Sequence, residues 1–89
     1  MAELIWTSPA IEDYLYYCGY LKRTAESFAK RFASEVVAFA EDIAQRPLFG
    51  AEVIESQREG VRERLYFKYR IIYLYRNDVV EVLCVMHGA

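Results

Sequence analysis

The sequence is poor in cysteine, histidine and surplus basic charge, and each shortage removes a class of protein. Cysteine occurs twice, at Cys18 and Cys84, far apart and outside any CxxC or Cys/His cluster. A secreted domain stapled by disulfides would carry more, so both thiols are expected to be buried and reduced. The one histidine, His87, raises the set of zinc-type ligands to three, short of the four a structural zinc site uses. No metal and no cofactor is expected. No run approaches the ~20 apolar residues of a membrane span, and the opening MAELIWTSPA lacks the basic and apolar regions of a leader. A cytoplasmic protein without a membrane partner is expected. Basic residues are not in excess: 11 Lys and Arg face 13 Asp and Glu, for a net charge of −2. Proteins that live on phosphate backbone need a Lys or Arg for each phosphate neutralised, so this balance counts against nucleic-acid binding. Repeats, low-complexity tracts and linkers are also missing, and residues 1–89 read as one domain.

What is present is apolar and aromatic: 55% of residues are hydrophobic, with 8 Tyr and 5 Phe. A domain of this size buries only roughly 60–65% of its unfolded surface, so such a supply suggests a core completed by a partner. Residues 2–6 read as a short strand. Ser8 and Pro9 then open a helix over about 9–22, with Glu12 and Asp13 in its first turn and an apolar stripe of Ile11, Tyr14, Leu15, Cys18 and Leu21. Thr24 is expected to cap a second helix, whose stripe runs Ala25, Phe28, Ala29, Phe32, Val36, Phe39, Ala40, Ile43 and stops at Arg46-Pro47. With only Arg23 as a break, the two should form an antiparallel hairpin. Residues 48–60 read as a loop, with a possible short strand near Val53-Ile54.

From residue 61 the composition turns to β-branched and aromatic residues, and Asn77-Asp78 divides two such runs as a two-residue hairpin loop. Counting back from that loop pairs Leu74 with Glu81, Ile72 with Leu83 and Arg70 with Val85. The other face then pairs Tyr73 with Val82, Ile71 with Cys84 and Tyr69 with Met86. This register packs Tyr69, Ile71, Tyr73, Cys84 and Met86 on the helices. It leaves Arg70, Ile72, Leu74, Leu83, Val85 and His87 on a face that no further helix covers. An exposed apolar face of this kind marks a binding surface.

Three segments carry a resemblance: I-W-T-S-P-A-I-E-D at residues 5–13, Y-R-I-I-Y at 69–73 and D-V-V-E-V-L-C-V-M-H-G-A at 78–89. In this order and spacing they resemble the RelE/ParE superfamily of type II toxins, on the ParE-like branch associated with plasmid stabilisation. The resemblance implies an α+β fold: an N-terminal strand, then an antiparallel helical hairpin on one face of a mainly antiparallel sheet of three or four strands. It implies a cytoplasmic toxin, a cognate ParD-like antitoxin wrapped on it as a hetero-oligomer, and growth inhibition. Two activities exist in the superfamily. ParE-like members inhibit DNA gyrase by protein binding, and RelE-like members cleave messenger RNA on the ribosome. A degenerate, non-toxic antitoxin-binding module is the third possibility.

The candidate residues follow from both readings. Arg70 matches the arginine that RelE-like nucleases carry in this strand, where it would stabilise charge on a scissile phosphate; the plainer role is a structural or antitoxin-pairing arginine. His87 is of the residue type that most often serves as a general acid or base, and the expected register puts it on the face of Arg70; the plainer role is ordering the last strand. The further Lys and Arg cluster and the C-terminal Tyr of RelE-like enzymes are not reproduced. That departure and the acidic balance favour gyrase over RNA. Arg62 and Lys68, with Arg70 and His87, are candidates for target binding. Ile72, Leu74, Leu83 and Val85, with Arg64 and Arg76, are candidates for antitoxin binding. Tyr16 and Tyr20 lie one turn apart and off the apolar stripe, as interface residues or as part of a core.

Overall fold

The computed structural model describes residues 1–88; the final alanine of the V-M-H-G-A ending lies outside the described residues. Strand β1 (Glu3–Trp6) leads into helix α1 (Ser8–Thr24), which turns at the single residue Ala25 into helix α2 (Glu26–Gln45). The tiny strand β2 (Ala51–Glu52) precedes β3 (Val61–Tyr66), β4 (Tyr69–Arg76) and β5 (Val79–His87). The five-stranded sheet has the order β1-β5-β4-β3-β2. β1 runs parallel to β5, and the other pairs are antiparallel. The helical hairpin covers one side, so the α+β architecture matches expectation; β1 is the expected N-terminal strand, and with β2 the sheet has five strands where three or four were expected. The short extra strand falls at Ala51–Glu52, two residues before the place expected.

Thr7, rather than Ser8, caps α1: its hydroxyl accepts from the Ala10 amide at 3.4 Å. The helix therefore starts earlier, and no acidic residue stands in its first turn. Thr24 does not cap α2 either; its hydroxyl turns back to the Tyr20 carbonyl. The α1 stripe is rotated from the one expected. Ala10 and Leu21 are buried with Tyr14, Tyr17 and Cys18 beside them, whereas Ile11 and Leu15 are exposed. The α2 stripe is as read from Phe28 to Ile43, with Phe32 at its centre, whereas Ala25 is exposed and precedes the helix. That ring lies against Tyr14, Tyr17, Phe28, Tyr66 and Tyr69, nearest to Tyr69 at 4.9 Å. Aromatic pairs of this geometry add about 0.5–1.5 kcal/mol each beyond their burial, which compensates for a core only two layers thick.

Buried polar groups are tied down individually. Tyr73 is wholly buried; its hydroxyl donates to the Pro47 carbonyl at 2.6 Å and accepts from the Gly50 amide at 3.2 Å, fixing the turn after α2 to mid-sheet. A methyl group at Gly50 would collide with that hydroxyl. Arg64 lies between the rings of Phe39 and Phe49 (4.5 and 5.1 Å) and bonds Asp42 at 2.6 Å. Asp42 also holds Arg46, and these two guanidinium groups, Arg46 foremost, keep its carboxyl below the usual range.

The β4–β5 hairpin turns at Asn77-Asp78, both at positive φ (54° and 61°), the pair of left-handed residues that a tight two-residue turn requires. The expected register holds from Arg76↔Val79 to Tyr73↔Val82. A β-bulge then intervenes, and beyond it the pairs are Ile72↔Cys84, Ile71↔Val85, Arg70↔Met86 and Tyr69↔His87. A slip of one residue exchanges faces. Val85 consequently packs beneath the helices at 1% exposure, and Met86 stands outside at 44%.

Candidate functional site

The bulge sits where β5 changes neighbours. β1 ends at Trp6↔Val82, and Thr7 closes it with bonds from its amide and hydroxyl to the Val82 carbonyl. Beyond that point α1 takes over the strand edge. Asp13 accepts from the Val85 amide at 2.9 Å, and the Tyr17 hydroxyl accepts from the His87 amide at 3.1 Å. One helical turn separates Asp13 from Tyr17, and their targets are alternate amides of the strand. Side chains thus replace a missing ladder, which leaves no free edge there for aggregation.

These contacts decide where the candidate residues lie. Arg70 is on the outer sheet face, with most of its side chain covered, and it is clamped: it bonds Glu55 at 2.7 Å and Glu63 at 2.7 Å. Both carboxylates, Glu55 first, hold the guanidinium still more firmly protonated than usual. His87 has moved to the helix side, where its ring meets the edge of Tyr69 at 4.9 Å. The shared face expected of Arg70 and His87 is therefore absent. Both still border one open cleft of about 780 Å³ at the end of the sheet, lined also by Leu65, Phe67, Lys68, Glu55 and Glu63.

The candidate antitoxin face is likewise redrawn. Val85 is core, because the bulge turned it inward. Leu74 is on the outer face yet only 2% exposed, since its own chain covers it: Gly60 lies against its side chain and Val61 pairs opposite. Ile72 and Leu83 remain partly open. With Cys84 and Met86 they floor a smaller cleft of about 300 Å³, whose rim includes Val53 and Arg58. Burial raises the thiols of Cys84 and Cys18, so neither is a reactive thiolate.

The basic residues do not gather. Arg62 and Arg64 do share a face, but it is the inner one. Arg62 bonds the Gly50 carbonyl and lies by Glu52, and Arg64 is held by Asp42. Lys68 occupies the β3–β4 turn, and Arg76 stands exposed at the far end of β4. Sequence reasoning missed Glu55, Glu63, Asp13 and Tyr17. A turn placed at Phe67-Lys68 would have set Glu63 diagonally across from Arg70; nothing local announces the other three. No metal-binding group of three or more acidic, Cys or His residues occurs among the described residues, nor does a helix long and apolar enough to cross a membrane.

Residues 4–89 match the family model of the ParE toxin of the type II toxin–antitoxin system parDE. No curated protein matches the sequence. Among solved structures, the fold is similar to a chain of the chromosomal ParDE toxin–antitoxin system from P. aeruginosa, with a TM-score of 0.79, 17% identity, and 100% of this chain and 98% of that chain covered. It is also similar to a chain of the RelBE2 toxin–antitoxin complex from Mycobacterium tuberculosis, with a TM-score of 0.68, 24% identity, and 97% and 96% covered. The chain, with its clamped arginine at the end of a bulged sheet, is thus a member of the ParE toxin family of type II toxin–antitoxin systems.

Proposed function

We propose that this chain is neutralised by a cognate antitoxin seated on the outer sheet face, and that it acts by protein binding, with DNA gyrase as its target. The observation that carries the second part is the state of Arg70. A nuclease arginine must offer its guanidinium to a phosphate, whereas this one already turns its Nε and Nη2 donors to Glu63 and Glu55. A phosphate entering the cleft would meet two carboxylates. His87, turned to the other side of the sheet, does not stand beside Arg70 as a general acid or base.

The antitoxin reading rests on Ile72, Leu83, Cys84 and Met86, an apolar strip left partly open between the 53–58 loop and the sheet. Leu74, Val85 and Arg64 drop out of that surface because their own chain buries or holds them. Arg58 is an exposed cation on its rim, and Arg76 and Lys68 are exposed cations flanking the two ends of β4. An apolar segment with flanking acids fits this strip. Leu83→Asp should weaken antitoxin capture while urea unfolding stays close to that of the parent.

Ribosome-dependent RNA cleavage is the second reading, favoured by one fact: Arg70 and His87 still border the same cleft. Supercoiling by purified gyrase and cleavage in a translation-coupled assay separate the two. Inhibited supercoiling with intact message is the expected result. Cleaved message that becomes intact with Arg70→Ala, in a protein that remains folded, would replace this reading with the nuclease. If neither assay responds and expression does not slow growth, the chain is an antitoxin-binding module alone.

A further inference from the structure

A second cleft, of about 410 Å³, opens on the helix side of the molecule and is walled by Tyr16, Tyr17, Tyr20, Tyr69 and His87. We propose that it receives the guanidinium of an arginine side chain carried on a partner polypeptide. The proposal is independent of which target the toxin has.

The walls are aromatic on every side. Tyr16 and Tyr20 lie one helical turn apart with their rings within 13° of parallel. Tyr17 stands edge-on to Tyr16 at 5.4 Å and to Tyr69 at 5.1 Å, and Tyr69 continues to His87. Ring faces carry the negative end of the aromatic quadrupole and attract a cation placed over them. Among the described residues no Asp, Glu, Lys or Arg lines the cleft, so a guest meets only rings and phenol oxygens. Burial raises the Tyr69 hydroxyl, and the neighbouring Tyr17 and Tyr20 hydroxyls raise it further. Three phenol groups therefore lie close together there, with oxygens able to accept from N–H donors.

A guanidinium suits such walls better than an ammonium, since it is planar, stacks on rings and spreads five donors around its edge. The protein itself uses this pairing elsewhere, with Arg31 on Phe67, Arg46 on Phe49 and Arg64 on Phe39. Tyr16 and Tyr20 are 65% and 46% exposed, large rings left open on one face of α1 as at a protein interface. A free small cation would leave the outer edges of these two rings bare, whereas a polypeptide bearing the arginine would cover them.

The test is a titration of the full chain with N-acetyl-argininamide, followed by NMR of the tyrosine and His87 ring signals. Saturable shifts confined to these rings, in the millimolar range, are expected. Tyr16→Ala and Tyr20→Ala, both at exposed positions, should each weaken binding by about two- to fivefold and together by roughly tenfold. The neutral isostere N-acetyl-citrullinamide should not bind. Equal binding of the citrulline compound, shifts produced instead by adenosine monophosphate, or no saturable shift in the millimolar range would each overturn the proposal.

Discussion

The bulge in β5 makes neighbouring residues behave oppositely, and Val85→Asp against Met86→Asp measures it. Val85 is 1% exposed and paired with Ile71 under the helices, while Met86 is 44% exposed and paired with Arg70 on the outer face. Removing the valine side chain from the core forfeits about 1.5–3 kcal/mol of burial. The aspartate put in its place has no partner there and costs several kcal/mol more, whether it stays charged or takes up a proton. At roughly 0.05–0.15 kcal/mol per residue, a chain of 89 residues has about 4–13 kcal/mol in hand. Val85→Asp should therefore leave the protein unfolded or nearly so. Met86→Asp should stay within about 1 kcal/mol of the parent. The gentler pair reports the same asymmetry if the aspartate variant yields no folded protein: about 2 kcal/mol for Val85→Ala, and under about 0.5 kcal/mol for Met86→Ala. Urea unfolding followed by far-ultraviolet circular dichroism is the assay. An unbulged hairpin would place Met86 against the helices and Val85 outside, so the reversed order of sensitivities would refute the register.

Tyr73→Phe should cost about 2–3 kcal/mol, because the Pro47 carbonyl and the Gly50 amide both lose their buried partner; at roughly 4–8 °C per kcal/mol, melting should fall by about 8–24 °C. Asp13→Ala should cost about 1–2 kcal/mol and speed hydrogen exchange at the Val85 amide, which loses its acceptor; an unchanged exchange rate would mean that Asp13 does not hold the strand edge. Burial and the Glu35 carboxylate push the Tyr66 phenol up to about 12. Its protonated form is favoured by folding, so the contribution of Tyr66 is complete below the ordinary tyrosine value near 10 and is lost as pH rises from there through 12. Tyr66→Phe should flatten the decline of stability in that window, and an unaltered alkaline slope would show that other groups govern it.

The hairpin of helices and the hairpin of strands were legible because local chemistry writes them. The α2 stripe has an unbroken helical period, and Asn77-Asp78 supplies the two left-handed residues that fix the β4–β5 register near the turn. The bulge was not legible because V-L-C-V-M is apolar at every position. Alternation reports a slip only when one face is polar, and here either register buries an apolar residue. The cause lies far away in sequence, in the Asp13 and Tyr17 bonds to the edge of β5. Those same bonds choose which side of α1 faces inward. Ala10 and Tyr17 thus take the places of Ile11 and Leu15 in the packed stripe, although Ile11 and Leu15 are the more apolar. For the site, Arg70 was identified but its environment was not, since Glu55 comes from a loop with no regular register to count along.

That environment bears on function more than the identity of the arginine does. Arg70 and Lys68 bring two positive charges to the end cleft, and Glu55 and Glu63 bring two negative ones. Electrostatically the cleft is balanced, so it has no field with which to concentrate a polyanion. Arg76 does not remedy this, because eight residues of extended strand, roughly 26 Å, separate it from Lys68. A ligand that recruits Arg70 through Nε or Nη2 must replace the bonds to Glu63 and Glu55 and must tolerate the carboxylates it displaces. A protein surface can do both by offering an acid to Arg70 and donors to Glu55 and Glu63 in one fixed arrangement. A phosphate offers only the first, and for that reason the geometry of this toxin favours a protein partner at Arg70 over RNA.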